Sequence, residues 1–351
     1  MSKIKTSLKI IASAAAIGAA IWGYTYITAP PYEGGAGITY GKVFAPVRDA
    51  TIKYHMWYPT TGGGRDVTVG GNGVFYGTQA GRDAPRKDGA FPLVLISHGS
   101  GGNAGQFGWI AETLANAGYV VILPNHPGTT TGNASAEAAM RLWERPQDLS
   151  AIIDAIEADR EAFGFIDTSR IATLGFSAGG YTAMALTGVR LSPERLNAFC
   201  DQDTGLSDCT FFEIMGIDLH TVDFGPAAQD LRDPRVTTSV VIDPGTTPAM
   251  VQDSFADITV PMQIISLGAP GEIPLGVNAD IAAAQIPNAE HVHIEGSWHF
   301  SFLAQCKEKG ASILEREGEL DRLCDEVSDR SREDIHTELK KTITAFLADT
   351  L

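Results

Sequence analysis

Positive charge is scarce in this chain: 26 Lys and Arg stand against 42 Asp and Glu, a formal net charge of −16 over 351 residues. Such a field repels polyanions, which excludes nucleic acid as a natural partner and gives anionic lipid head groups nothing to hold. Also missing are a phosphate loop, a dinucleotide fingerprint and any internal repeat, so nucleotide cofactors and solenoid architectures drop out. No cofactor is expected. Cysteine is sparse at four residues. An uncharged apolar stretch long enough to leave water occurs at residues 10–27, just after Lys3, Lys5 and Lys9. That pattern marks residues 1–30 as a signal peptide or an N-terminal membrane anchor, with the basic flank held on the cytoplasmic side and the rest exported to the periplasm or beyond. No cysteine follows the run, so a lipid anchor is not supported.

What is present suits one large domain over residues 31–351. A hydrophobic fraction of 44% suffices for a sizeable buried sheet. Antiparallel strands are expected near Ile38–Phe44 and Ile52–Tyr58, with a Gly-rich loop from Thr61 to Gly89. From Phe91 onward, strand-like runs alternate with helical ones: Phe91–Ser97, a helix near Gln106–Ala117, Tyr119–Pro124, a helix near Gln147–Phe163, then Ile171–Phe176. Alternation of this kind implies a mostly parallel central sheet with helices on both faces and ligands at the carboxyl ends of the strands.

The chemistry centres on Gly175-Phe176-Ser177-Ala178-Gly179, a strand, a sharp turn and a helix with a hydroxyl at the apex. The pattern is weak alone; its surroundings make it specific. Serine is a poor nucleophile near neutral pH and needs an imidazole to take its proton, with a third group to orient the ring. In such turns one oxyanion donor is the N–H after the nucleophile, here Ala178. The other comes from the loop after an earlier strand, here His98-Gly99-Ser100-Gly101-Gly102, with Ser100 the donor. Downstream, Gly296-Ser297-Trp298-His299 follows a strand and offers His299 as the base. The acid should fall between them at a strand end. Asp243, closing the β-branched run Val236–Ile242, fits best, while Glu272 and Asp280 after the next strand remain rivals.

With these residues in place the chain resembles the predicted dienelactone hydrolase family of α/β-hydrolases, related to plasma-type platelet-activating-factor acetylhydrolase. The likeness runs from about Gly41 to about Cys306, through Trp57-Tyr58-Pro59, the Ser97–Gly102 loop, Asn125-His126-Pro127-Gly128, Arg145-Pro146-Gln147-Asp148, the serine turn and His299-Phe300-Ser301-Phe302-Leu303. It implies an α/β-hydrolase fold and a serine esterase with Ser177 as nucleophile and His299 as base, acting on a small-molecule ester. The acetylhydrolase branch takes its acid after the sixth strand, which maps to Asp243. Many bacterial relatives carry an aspartate one strand later, where this chain reads Gly268-Ala269-Pro270-Gly271-Glu272. True dienelactone hydrolases use a cysteine nucleophile, so lactone chemistry is not implied. Two other readings stay open: amide or peptide hydrolysis on the same triad, and a non-catalytic binding protein on a hydrolase scaffold.

Four further expectations concern the rest of the chain. Residues 191–234 are too long for a simple connection and read as a small cap insertion, with Phe211, Phe212 and Phe224 lining an acyl or alcohol pocket. Proximity favours Cys200 with Cys209 and Cys306 with Cys324, although spacing alone does not exclude the other pairings. The C-terminal stretch reads as an amphipathic helix capped by Ser331, with Ile335, Leu339, Ile343 and Phe346 inward. Among the other histidines, His98 should brace the oxyanion loop and His126 should line the pocket. His291 and His293 share a strand face, but no third ligand has recognisable spacing, so no metal is expected.

Overall fold

The computed structural model describes residues 30–202, 209, 212, 215–319 and 321–351. Ten of its strands hydrogen-bond into one sheet. In chain order these are β1 (Ala36–Ala45), β2 (Ala50–Pro59), β3 (Arg65–Val69), β4 (Thr78–Arg82), β5 (Phe91–Ser97) and β6 (Val120–Asn125), then, after a two-stranded ribbon of β7 (Thr129–Thr130) and β8 (Asn133–Ala134), β9 (Ile166–Phe176), β10 (Val236–Ile242), β11 (Met262–Leu267) and β12 (Ala289–Ile294). The spatial order is β12-β11-β10-β9-β5-β6-β2-β1-β4-β3. From β12 to β6 every neighbour is parallel, whereas β2 runs antiparallel to both β6 and β1. β11 is buried along its whole length, and β5 from Pro92 onward, as expected of parallel strands covered on both faces.

The helices are α1 (Gly108–Asn116), α2 (Ala136–Met140), α3 (Glu144–Ala158), α4 (Arg160–Phe163), α5 (Ala178–Thr187), α6 (Pro193–Cys200), α7 (Asp280–Gln285), α8 (Gly310–Glu317) and α9 (Arg332–Thr350). On one face of the sheet, Ile110 and Leu114 of α1 and Ile335, Leu339 and Ile343 of α9 pack with Trp57, Val94, Val121 and Leu174. On the other face, Leu149, Ile152, Ile153 and Ile156 of α3 meet Leu93, Leu95 and Ile122, and α5 buries Tyr181 and Met184 against Val241 and Ile264. The helix expected to run on to Phe163 breaks at Asp159, whose side chain accepts from the Ala162 N–H and starts α4.

One expectation fails outright. The stretch Thr61–Gly89 is not all loop: β3 and β4 lie within it and extend the sheet beyond β1. Both strands are five residues long with glycine beside or within them, so although β3 alternates in burial neither stands out from the Gly-rich stretch around it.

The C-terminal helix forms as expected, with Ser331 Oγ accepting from the Asp334 N–H at 3.1 Å and its apolar stripe buried. It also does something the sequence does not announce. His336 lies flat on Trp109 with ring centroids 3.8 Å apart, and its Nε2 donates to the carbonyls of Ser301 and Leu303, both at 3.1 Å. Arg332 donates to the Ala304 carbonyl at 3.2 Å. Residues 301–304 directly follow His299, so α9 clamps the segment that carries that imidazole. Both disulfides form in the pairing favoured by proximity, and Cys306–Cys324 closes over this same region. Among the described residues no helix is long and apolar enough to cross a membrane; the proposed leader at 10–27 lies outside them.

Candidate active site

Ser177 sits between β9 and α5 with φ 55° and ψ −122°, a conformation that an L-residue adopts only under constraint. Four main-chain bonds supply it: the Ser177 N–H donates to the Ile242 carbonyl at 3.0 Å, and the Ser177 carbonyl accepts from Gly180 at 2.7 Å, Gly245 at 2.8 Å and Tyr181 at 3.2 Å. The flanking glycines are steric necessities. A Cβ on Gly175 would collide with the Gly179 carbonyl oxygen, and one on Gly179 with the carbonyl oxygen of Ser97. The motif therefore records how closely strand, turn and oxyanion loop approach one another.

Two other strand ends bring in the remaining polar groups. His299 Nε2 lies 3.2 Å from Ser177 Oγ, and its Nδ1 lies 3.0 Å from Asp243 Oδ2. Asp243 is fully buried, and its second oxygen accepts the Leu267 N–H at 2.8 Å, so β11 fixes the carboxylate that orients the ring. Phe176 packs against the imidazole with centroids 4.7 Å apart. The rival acids lie elsewhere: Glu272 is exposed and caps its own turn at Ala269, while Asp280 bonds Asn278. A chain of hydrogen bonds thus runs from carboxylate to imidazole to hydroxyl, with Nδ1 facing Asp243 and Nε2 facing Ser177. That arrangement can remove the hydroxyl proton as the oxygen attacks a carbonyl and return it to a leaving group.

Ala178 is the first residue of α5, so its N–H has no partner within the helix. The facing loop carries Ser100, which is exposed, and Gly99, where a Cβ would stand 3.3 Å from that of Ser177. The loop is tied down by Gly101 N–H to the Thr129 carbonyl at 3.1 Å and Thr131 N–H to the Gly102 carbonyl at 2.9 Å. The start of α5, the glycine-rich loop and Ser177 Oγ therefore lie close together.

Beneath this loop lies a buried polar network that sequence reasoning missed. Arg145, wholly buried, donates to the His98 carbonyl and, at 3.3 Å each, to Ser97 Oγ and Thr129 Oγ1. His126 bridges Asp148 at 2.8 Å and Ser97 Oγ at 2.9 Å. Asp148 also takes a two-pronged bond from Arg48, both at 2.9 Å, and Arg48 reaches Glu144 at 2.6 Å. Burial holds His126 and His98 well below the ordinary histidine range, so both rings are neutral. Burial also lowers Arg145 to about 9 and pushes Asp148 up to about 6 against the pull of Arg48. His98 does brace the loop, its Nδ1 donating to the Gly99 carbonyl at 2.7 Å. His126 does not line a pocket as expected; it is fully enclosed and spends both nitrogens on this network. The available signal was Arg145 with Asp148, one turn apart on a helix face.

In the 191–234 excursion, α6 is joined through Cys200–Cys209 to the following segment. Phe224 is buried edge-on against Trp143, 6.0 Å between centroids, and Phe212 packs at the margin of the same cluster. Phe211 lies outside the described residues.

Comparison with known proteins bears on the fold. The profile of the prolyl oligopeptidase family matches residues 105–210, which include the serine turn but neither Asp243 nor His299. Cutinase 2 of Thermobifida cellulosilytica is 28% identical over 123 residues, 34% of this chain and 40% of that protein. A probable dipeptidyl-peptidase 5 of Emericella nidulans is 28% identical over 113 residues, 31% of this chain and 16% of that one. The chain thus spans less than half the length of these curated relatives. A ferulic acid esterase of Streptomyces cinnamoneus superposes with a TM-score of 0.59 over 92% of both chains at 16% identity. A dienelactone hydrolase-like promiscuous phosphotriesterase from metagenomic libraries does so at 0.50, over 90% of this chain and 99% of that one, at 13% identity. Together with the parallel sheet and the turn at the end of β9, these likenesses establish the α/β-hydrolase fold.

Proposed function

We propose that this protein is a serine hydrolase that cleaves carboxylic esters through an acyl-enzyme. The observation that carries the reading is the unbroken Asp243–His299–Ser177 hydrogen-bonded chain at the carboxyl ends of neighbouring strands. Ser177 Oγ attacks the ester carbonyl carbon while His299 Nε2 takes its proton. The N–H groups of Ala178 and Ser100 receive the negative charge that forms on the carbonyl oxygen. Collapse breaks the bond to the alcohol, which leaves with the proton from His299. Water then repeats the sequence on the acyl-serine, releasing the acid and restoring the hydroxyl. Asp243 keeps the ring in the required tautomer throughout.

Relatives named as cutinases and a structural neighbour named as a ferulic acid esterase support an ester as substrate. The order of motifs supports a place beside the dienelactone hydrolase-like and plasma-type acetylhydrolase enzymes. Peptide or amide hydrolysis on the same three residues is the second reading, favoured by the prolyl oligopeptidase match and the dipeptidyl-peptidase relative. Two disulfides and the leader-like residues 10–27 support export, with the leader either removed or retained as an anchor. The excursion at 191–234 serves as a cap that selects substrates, and its removal should alter acyl preference.

A fluorophosphonate probe followed by peptide mapping tests the reading directly. Labelling on Ser177, lost in His299→Ala, is expected; an unlabelled native protein overturns it. Matched ester and anilide substrates then separate the two reactions, the ester being turned over faster.

A further inference from the structure

Among the described residues, one cluster of metal-ligating side chains lies outside the hydrolytic machinery. His291 and His293 alternate along β12 and so share a face, with ring centroids 4.4 Å apart. Helix α7 precedes that strand and contributes Asp280. One carboxylate oxygen and one nitrogen from each ring all lie within 4.8 Å of one another. The sequence reading found no third ligand because Asp280 belongs to a different element and has no motif spacing to the histidines.

The surroundings of these three groups are what a metal site requires. His293 Nδ1 lies 3.3 Å from the Gly268 carbonyl, which only accepts, so that nitrogen carries the proton and Nε2 carries the lone pair. His291 Nε2 is 3.0 Å from Ser266 Oγ, which leaves Nδ1 as the free nitrogen. Asn278 donates to Asp280 Oδ2 at 3.2 Å and accepts from the Asp280 N–H at 2.9 Å, setting the orientation of the carboxylate. Outer partners of this kind fix tautomer and direction in metal-binding histidines and carboxylates.

We propose that Asp280, His291 and His293 bind a divalent cation of the zinc class, with water completing the shell. Two imidazoles and one carboxylate suit a borderline cation and disfavour calcium or magnesium, which take oxygen ligands. Tetrahedral zinc places ligand atoms about 3.3 Å apart, so the triangle closes by about 1.5 Å or less through side-chain rotation. The negative net charge of the chain favours cation uptake. The bound ion ties α7 to the exposed-edge strand β12, which leads into the turn bearing His299, and its role is structural. The inference does not depend on the hydrolytic reading.

The test uses the untagged, metal-stripped protein titrated with zinc chloride, followed calorimetrically and by X-ray absorption of the one-to-one complex. Expected are one zinc per chain, a shell containing two imidazoles, and a rise in Tm on the order of 5 °C at hundredfold excess over Kd. His293→Gln should weaken binding by about 100-fold or more while leaving the metal-free Tm unchanged. His220→Gln, at an exposed histidine elsewhere, should bind as the parent does. Failure to bind zinc stoichiometrically overturns the proposal. So does a zinc that binds His293→Gln as tightly as the parent, or a parent complex whose shell contains fewer than two imidazoles.

Discussion

The two sides of Ser177 are built in opposite ways. On the base side, His299 is braced by the buried Asp243 carboxylate, itself held by a main-chain N–H, and by aromatic faces, and among the described residues no arginine or lysine bonds to either group. On the oxyanion side, two arginines, two carboxylates and two neutral histidines lie packed beneath a glycine-rich loop. The contrast suits the work each side would do in the proposed reaction. An imidazole that takes up and returns a proton is best held by few contacts and no fixed cation, since a cation beside it would oppose protonation. A loop that must present N–H groups at one point without reorganising gains from a rigid, fully bonded underlayer.

The comparison can be broken most decisively on the base side. Asp243→Asn should cost about 10⁴ in kcat, because the amide favours the wrong ring tautomer, with little change in Tm. Glu272→Gln should leave steady-state kinetics untouched. Full activity in the first variant would remove Asp243 from the site. On the oxyanion side, Arg145→Met should lower stability by about 3–5 kcal/mol, since it strips a buried cation from partners that stay buried. Its kcat should fall by about 10²–10³ as the loop loses its anchor, with KM changing less. Chemical denaturation and kinetics on the same preparation separate the two effects. If kcat were unchanged in the folded variant, the underlayer would serve stability alone.

A third intervention sharpens the comparison by leaving both sides intact. Replacing Cys306 and Cys324 together by alanine should cost about 2–4 kcal/mol in stability while ester turnover at room temperature persists. The broadest is acidification. His55, His98, His126 and His336 all have folded pKa values below the ordinary one, the first at about 4 and the last at about 3. Below about pH 6.5 the unfolded chain therefore binds protons that the folded one refuses, and each such histidine contributes about 1.4 kcal/mol of destabilisation per pH unit. Asp148 opposes this between about 6 and 3.8, because there the folded carboxyl holds its proton and the unfolded one has lost it. His291 is held low by burial as well, so five histidines stand against one aspartate; Tm should fall as pH drops from 6.5 toward 4, and His336→Gln should flatten the decline.

What was legible in the sequence was what depends on local pattern. The glycine spacing around Ser177, the runs that became β5, β9 and β10, the chain order of serine, acid and imidazole, and the stripe of α9 all follow from steric or periodic rules within a few residues. What was not legible depends on distant partners. Arg48 meets Asp148 across a hundred residues, and Asp280 meets two histidines from another element; no local rule connects them. His126 was misjudged for the same reason: its position after a strand end suggested a pocket, while the partners that enclose it come from β5 and α3. β3 and β4 were missed because five-residue strands set among glycines are too short for a period to outweigh the turn signals around them.

The clamp that α9 places on residues 301–304 bears on when the proposed hydrolysis could begin. Synthesis runs from the amino end, so the serine turn emerges long before Arg332 and His336 exist to hold the imidazole-bearing segment. Hydrolytic power would then arrive only with α9, and a nascent polypeptide lacking it would spare the lipids and metabolites of the compartment in which it was made.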